Sequence, residues 1–455
     1  MAMVSTKIDQ IKALKNKLFE AAEQAGFSDY EIYYTGSTNF EVHILDQAIR
    51  EYKNASPSGL SFRGLYDGKM GYVYTEKITD DVINFLVTSA KDNAMIKEST
   101  DESLFAGSPI YPQVDGISPK LGHPTANEKI NWAKQLEVYA KEADPRVVAV
   151  DYCVVTDGTG EVYIANSHGL NLHQESGHAI AYVVVRIEEN GSIKTDYKIW
   201  SGKDFSDFDP KSLAYEAVQT ATQKLGASSI PTNDYAVLIK NKAVLSLLSA
   251  FISNFFAESV QKGLSLLKDK IDTQIATPLL TIRDNISHPN SLKKVPFDSE
   301  GVAIRDKTVI ENGILKTYLY SIKSANKAGK DSTGNGFKGS FKSSVATDIN
   351  NFFIEPGSSS FEELTQHFDG VLITNFQGLH AGTNSVSGDF SLQAEGFLYK
   401  AGQVVKPVEQ ITVAGNFYTL LNHIEALADD IYFSPMGGGI GSPTLLVSGL
   451  KISGE

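Results

Sequence analysis

The apolar positions of the chain change period several times, and each change marks an expected element. Ile8, Ile11, Leu14, Leu18 and Ala22 recur at helical spacing, so a helix is expected over residues 8–25, with Gly26 as its stop. Strand-like runs follow at 30–35, 40–45 and 59–66. Asp67-Gly68 is a hairpin signal, with a return strand at 71–75. Residues 78–93 read as a helix. A Ser-, Pro- and Gly-rich stretch, 100–124, reads as a long connection. Helical spacing resumes at 127–143, and strands of a meander are expected at 147–156, 161–166, 170–187 and 193–200, with Asn190-Gly191 as a turn. A helix at 211–225 and a polar linker at 226–233 close this part. The remainder opens with a short strand at 235–239 and a long helix at 243–256. Val244, Leu247, Leu248, Phe251 and Phe255 form one apolar stripe on that helix, suited to a core, with a groove wall or a subunit interface as the alternative. Glu311-Asn312-Gly313 is a turn, and 445–452 a final strand.

This order implies an α+β fold: N-terminal α/β units with antiparallel sheets, then a larger β-rich C-terminal domain. The expected division is 1–110, 111–230 and 231–455. At 455 residues, two or three domains are the norm at roughly 100–200 residues each.

Composition narrows the function. The formal net charge is −13 and no dense Lys/Arg run occurs, so direct nucleic-acid binding is not expected. The single cysteine, Cys153, lies in an apolar run and reads as a buried thiol; it can form neither an internal disulfide nor a thiolate cluster. No run approaches the ~20 apolar residues of a membrane span, and no signal peptide is visible. A cytoplasmic protein is expected.

Nine histidines are spread through the chain, with one local cluster, His173-Gln174-Glu175-Ser176-Gly177-His178. On a continuous strand His173 and Glu175 share a face and His178 takes the other. A turn at Ser176-Gly177 would be needed for the side chains to converge, and no nearby third ligand is evident. Solvated or structural histidines are the expectation. There is no HExxH and no CxxC, and neither Gly334-Asn335-Gly336 nor Gly437-Gly438-Gly439 carries the Lys-Ser/Thr of a phosphate loop. Ser387-Gly388-Asp389 lacks the strand–elbow–helix setting of a serine hydrolase.

Several C-terminal segments, in order, resemble the TldD/PmbA family: residues 296–302 (PFDSEGV), 311–315 (ENGIL), 332–335 (STGN), 378–391 (GLHAGTNSVSGDFS), 395–397 (EGF) and 407–416 (PVEQITVAGN). The resemblance implies a C-terminal domain of the TldD/PmbA type. It also implies a two-type system in which TldD-like members carry HExxxH on the long helix and a later cysteine as zinc ligands. Here Ser249, Ala250 and Asn254 stand where His, Glu and His belong, and the later cysteine is missing. The chain is thus similar to the PmbA/TldE type, with no catalytic residue, metal ligand or cofactor of its own and zinc expected in a TldD-like partner. The implied partners are that subunit in a heteromer or a second copy in a homodimer, and extended peptides. His380, Asn384 and Asp389 are candidates for a substrate groove, with tight-turn structure as the alternative. The family label, modulator of DNA gyrase, is read as an indirect effect of peptide turnover. Two other readings stay open: a homo-oligomeric peptide-binding or regulatory protein, and a stand-alone metallopeptidase with an unrecognised site.

Overall fold

The computed structural model describes residues 2–98, 101–435 and 438–455, with side chains from residue 7 onward. Residues 100 and 437, which belong to the expected connection and to the second glycine run, lie outside the described residues.

Helix α1 (Ala2–Gln24) leads into β1 (Asp29–Leu45), β2 (Ala48–Ala55), β3 (Ser58–Tyr66), β4 (Lys69–Thr75) and helix α2 (Ile83–Met95). After the connection come α3 (Ala126–Ala143), β5 (Val147–Asn166), β6 (Asn171–Glu189), β7 (Ser192–Gly202) and α4 (Pro210–Gln223). These strands form a single antiparallel sheet in the order β4-β3-β1-β5-β6-β7, with β2 pairing the far half of β1. The two N-terminal units therefore share a sheet yet keep separate cores. Ile11, Leu14 and Leu18 of α1 pack on Ile32, Tyr34 and Phe62, while α3 and α4 cover Val155, Ala181 and Val183.

Two expected breaks are absent. β1 runs through residues 36–39 and β5 through 157–160, because each supplies the other's hydrogen-bond partners there and Thr38 meets Thr159 hydroxyl to hydroxyl at 2.6 Å. β2 carries no apolar pattern because every residue in it is exposed.

The C-terminal part opens with β8 (Ala236–Ile239) and helix α5 (Asn241–Phe251). The expected helix to residue 256 stops at Phe251. A tight 3₁₀ turn, Ile252–Phe255, follows and leads to α6 (Ala257–Gln261). The turn carries Phe255 into the core against Phe352 and Phe417, while Phe251 stacks on Phe417 with centroids 4.7 Å apart. The apolar stripe is buried in the largest core.

β8 lies inside a seven-stranded sheet. Its order is Ile424–Leu427, Leu445–Val447, β8, Gly370–Gln377, Asp389–Lys400, Gln403–Asn416 and Lys451–Ser453. The expected single strand at 445–452 is thus two strands. Only residues 448–450 separate them, a reach of about 14 Å at most, yet five strand spacings of roughly 4.8 Å lie between them in a flat sheet. The sheet must curl into a half-barrel. A second, six-stranded sheet contains the hairpin Lys307–Glu311 to Ile314–Leu315, turned by Asn312 (φ 48°) and Gly313 (φ 82°). Helix α7 (Ile322–Ala328) lies beyond it.

A glycine fixes how closely α2 sits on the first sheet. A Cβ at Gly71 would lie 1.8 Å from the Ala90 carbonyl oxygen, which is helix backbone and cannot turn aside. Gly71→Ala should destabilise by roughly 1–3 kcal/mol through overpacking. Gly116→Ala, where a Cβ meets nothing within 4 Å, should change stability by less than about 0.5 kcal/mol. Thermal denaturation of both variants checks this, and an unchanged melting temperature for Gly71→Ala contradicts it.

Candidate functional site

The stretch that the family resemblance aligns with HExxxH spans the end of α5 and the turn after it. Ser249 is exposed and its hydroxyl donates back to the Ser246 carbonyl at 2.7 Å. Ala250 packs on the main core and offers no donor atom. Asn254 is 1% exposed, and its Nδ2 has no hydrogen-bond partner among the described residues. A hydroxyl bonded to its own helix, a methyl group and an amide are not a zinc ligand set.

The loop with His380, Asn384 and Asp389 is built from its own polar groups. His380 is exposed on the short helix Leu379–Gly382. Asn384 Oδ1 accepts from the backbone N–H groups of Val386 (3.0 Å) and Ser387 (3.2 Å). The Asp389 carboxylate accepts from Asn416 Nδ2 and the Ser387 hydroxyl, both at 2.8 Å, and these bonds hold its pKa below the usual range. The fold brings the three residues into one loop, but Asn384 and Asp389 use their side chains to shape it.

The histidine cluster differs from expectation in one respect. β6 runs straight through Ser176-Gly177, so His178 stays off the face shared by His173 and Glu175. A third group does stand there: Glu161 of β5 pairs in register with Glu175, and its Oε1 lies 2.9 Å from His173 Nε2. Ligand atoms of Glu161, His173 and Glu175 lie within 4.8 Å of one another. Sequence spacing could not show this, because the third group comes from the neighbouring strand.

The residues that sequence reasoning missed lie where the first sheet meets the C-terminal part. Glu31 and Arg63 are directly opposite on β1 and β3, at 0% and 5% exposure, with Arg63 Nε donating to Glu31 Oε1 at 2.7 Å. They share a face with Tyr33, Ser61 and Tyr72, and the C-terminal part packs on that face. Tyr33 Oη meets Ser299 Oγ at 3.1 Å, and Tyr72 Oη donates to the Phe341 and Ser343 carbonyls. Lys338 reaches in over the Tyr33 and Tyr72 rings, 4.4 and 5.2 Å from their centroids, and its amine donates to Ser61 Oγ at 3.3 Å. Part of the Lys338 stem stays accessible, but the amine itself is enclosed.

The family-like segment 296–302 supplies two buried carboxyl groups here. Asp298 accepts from the backbone N–H groups of Glu300, Val302 and Gly336 at 2.8–3.0 Å. Glu300 Oε2 accepts from the Ile322 N–H at 2.7 Å. Burial, and then the neighbouring Glu300, push Asp298 upward against those three donors. Burial raises Glu300 to about 6, against the lowering pull of Arg63 and the Ile322 N–H. Burial, and then Arg63, lower Lys338 to about 7 despite Glu31 and Glu300. The available signal was a lone charge inside each apolar strand (Glu31, Arg63) and an acidic pair in the segment 296–302.

The half-barrel and the shared N-terminal sheet define a mixed α+β protein with a polar, partly open seam between its two halves. Sequence models of PmbA/TldA metallopeptidase domain 1, central domain and C-terminal domain match residues 30–94, 119–225 and 232–454. The chain belongs to the TldD/PmbA family. It is similar to the metalloprotease PmbA of Escherichia coli O157:H7, at 27% identity over the full length of both chains. A crystal structure of a proposed modulator of a DNA gyrase from Thermotoga maritima superposes with a TM-score of 0.89 at 31% identity, covering 97% of this chain and 100% of that one. TldE from Thermococcus kodakarensis shares the fold, with a TM-score of 0.89 at 22% identity over 97% of this chain and 100% of that one.

The raised Glu300 pKa has a stability consequence. A protonated Glu300 stabilises the fold fully below its unfolded value of 4.5, and this contribution is lost as pH rises through about 6. Relative to Glu300→Gln, the wild-type chain should lose stability between pH 4.5 and about pH 7. Denaturant unfolding of both proteins at the two pH values measures it; a pH-independent difference rejects it.

Proposed function

We propose that this chain is a non-catalytic subunit of a cytoplasmic, peptide-degrading metalloprotease, acting beside a zinc-bearing TldD-like subunit. The carrying observation is the chemistry at residues 249–254. Zinc hydrolysis needs converging imidazole, thiolate or carboxylate ligands and a general base for the bound water. Ser249, Ala250 and Asn254 provide neither. The metalloprotease name of its E. coli relative and the TldE name of the Thermococcus structure support a role within such a complex. Among the described residues no helix is long and apolar enough to cross a membrane. The acidic charge argues against direct DNA contact, so an effect on gyrase would be indirect.

A second reading has its own observation. Glu161, His173 and Glu175 offer one imidazole and two carboxylates in reach of one another, a set that could hold a divalent ion. The exposed His173–Glu161 contact is equally well a surface ion pair.

Metal analysis and hydrolysis of an unfolded peptide decide between them, using the chain alone, a TldD-like partner alone, and the mixture. The expected result is no stoichiometric zinc in the isolated chain and faster hydrolysis in the mixture than with the partner alone. About one zinc per isolated chain, lost in His173→Ala, together with peptide cleavage, would replace the first reading by the second.

A further inference from the structure

Beneath the contact between the first sheet and the C-terminal part lies a cavity of about 410 Å³. That is within the range of about 300–1,000 Å³ typical of small-molecule sites. Its buried end holds Arg63, Glu300 and the Lys338 amine; its open end holds the exposed Lys262, Lys323 and Lys327. Two cations at the buried end have unused donors. Arg63 gives Nε to Glu31, but its Nη2 has no hydrogen-bond partner among the described residues. The Lys338 amine makes one hydrogen bond, to Ser61, and no ion pair among the described residues. A buried guanidinium with an empty donor is costly unless something accepts from it.

The charge balance selects the acceptor. Six cationic side chains and four carboxyl groups line the cavity. Adding the Glu31 carboxylate, which pairs with Arg63, leaves a formal excess of one positive charge in a chain whose total is −13. That count takes every group as ionised; a bound anion supports it by holding the Lys338 amine in its charged form. On that count a monoanion matches the one excess charge. A phosphate dianion would overshoot it and meet the carboxyl groups that remain. The planar guanidinium fork also suits a carboxylate.

We propose that this cavity binds short peptides by their free α-carboxylate, with Arg63 and Lys338 as the anchors. The inference rests on the reading that the chain handles peptides, and its anchors, Arg63 and Lys338, lie outside residues 249–254 and the loop of His380, although the cavity rim at Glu258 and Lys262 follows closely after Asn254.

Isothermal titration of the isolated full-length chain tests it, with trialanine as the free acid, trialanine amide and inorganic phosphate as titrants. The acid should bind at least about tenfold more tightly than the amide, because only the acid makes charge-assisted hydrogen bonds. Lys338→Met should bring the acid down to the affinity of the amide, with its melting temperature checked to confirm folding, and Lys338→Arg should keep the preference. Equal binding of acid and amide, an unchanged preference in Lys338→Met, or phosphate binding more tightly than trialanine overturns the proposal. The outcome is separable from the fate of the partnership. Preference for the acid without hydrolysis in any pairing upholds the carboxylate site and rejects the partnership. Hydrolysis with a partner but no preference for the acid rejects the carboxylate site alone.

Discussion

The buried pair Glu31–Arg63 is the constraint around which the contact between the two halves is arranged. Its members come from neighbouring strands of the first sheet and are almost wholly removed from water. Neither charge can stand there alone, since an unpaired buried ion costs several kcal/mol. The pair faces the C-terminal part rather than the helices, so the surface opposite it has to be polar too. Ser299 meets Tyr33, and Lys338 enters over two tyrosine rings. Elsewhere the same face is closed by apolar packing, with Tyr33, Ile164 and Leu170 against Phe297. The halves are thus joined by a greasy contact with a charged gap beside it, and the gap is where ligand-sized space remains.

Buried polar side chains in and around the family-like segments satisfy the backbone of the loops beside this gap. Asp298 binds three N–H groups and fixes the loop that delivers Glu300. Asn335, in the STGN segment, donates to Asp284 and to the Asp348 carbonyl. Asn351 Nδ2 reaches three carbonyl groups, those of Asn285, Ile286 and Lys293. Loops of this length would bury unsatisfied peptide groups without such side chains. The signature therefore reports loop architecture, and its presence says little about whether zinc is bound.

Legibility in the sequence followed burial. α1, α3 and α4 were readable because one face of each is apolar and the other wet, as the stripe Ile8 to Ala22 shows. β2 left no signal because both its faces are exposed. The merging of the N-terminal units into one sheet was hidden because pairing between β1 and β5 joins residues more than a hundred positions apart. The same distance in sequence concealed Glu161 beside His173 only in part: twelve positions separate them, but it is the register of two strands that brings them together. Arg63 and Lys338 lie on different halves of the molecule, and nothing local marks them as neighbours.

The end of α5 shows why the missing ligands matter more than the backbone that would carry them. Positions five apart on a regular helix point about 140° away from each other, so a pair at the spacing of Ser249 and Asn254 cannot converge while the helix stays regular. Here the helix breaks after Phe251, and Asn254 sits in a tight turn at a different pitch. A break of this kind is what ligands at that spacing require, so the backbone does not exclude a metal. What these positions lack is donor chemistry: a hydroxyl committed to its own helix, a methyl group, and a buried amide whose Nδ2 has no partner among the described residues. An amide left unpaired in a core is a cost that packing alone would have removed. Its persistence in this turn fits a position shaped for a polar side chain, held by Ser265 donating to the Asn254 carbonyl and by the phenylalanines on either side.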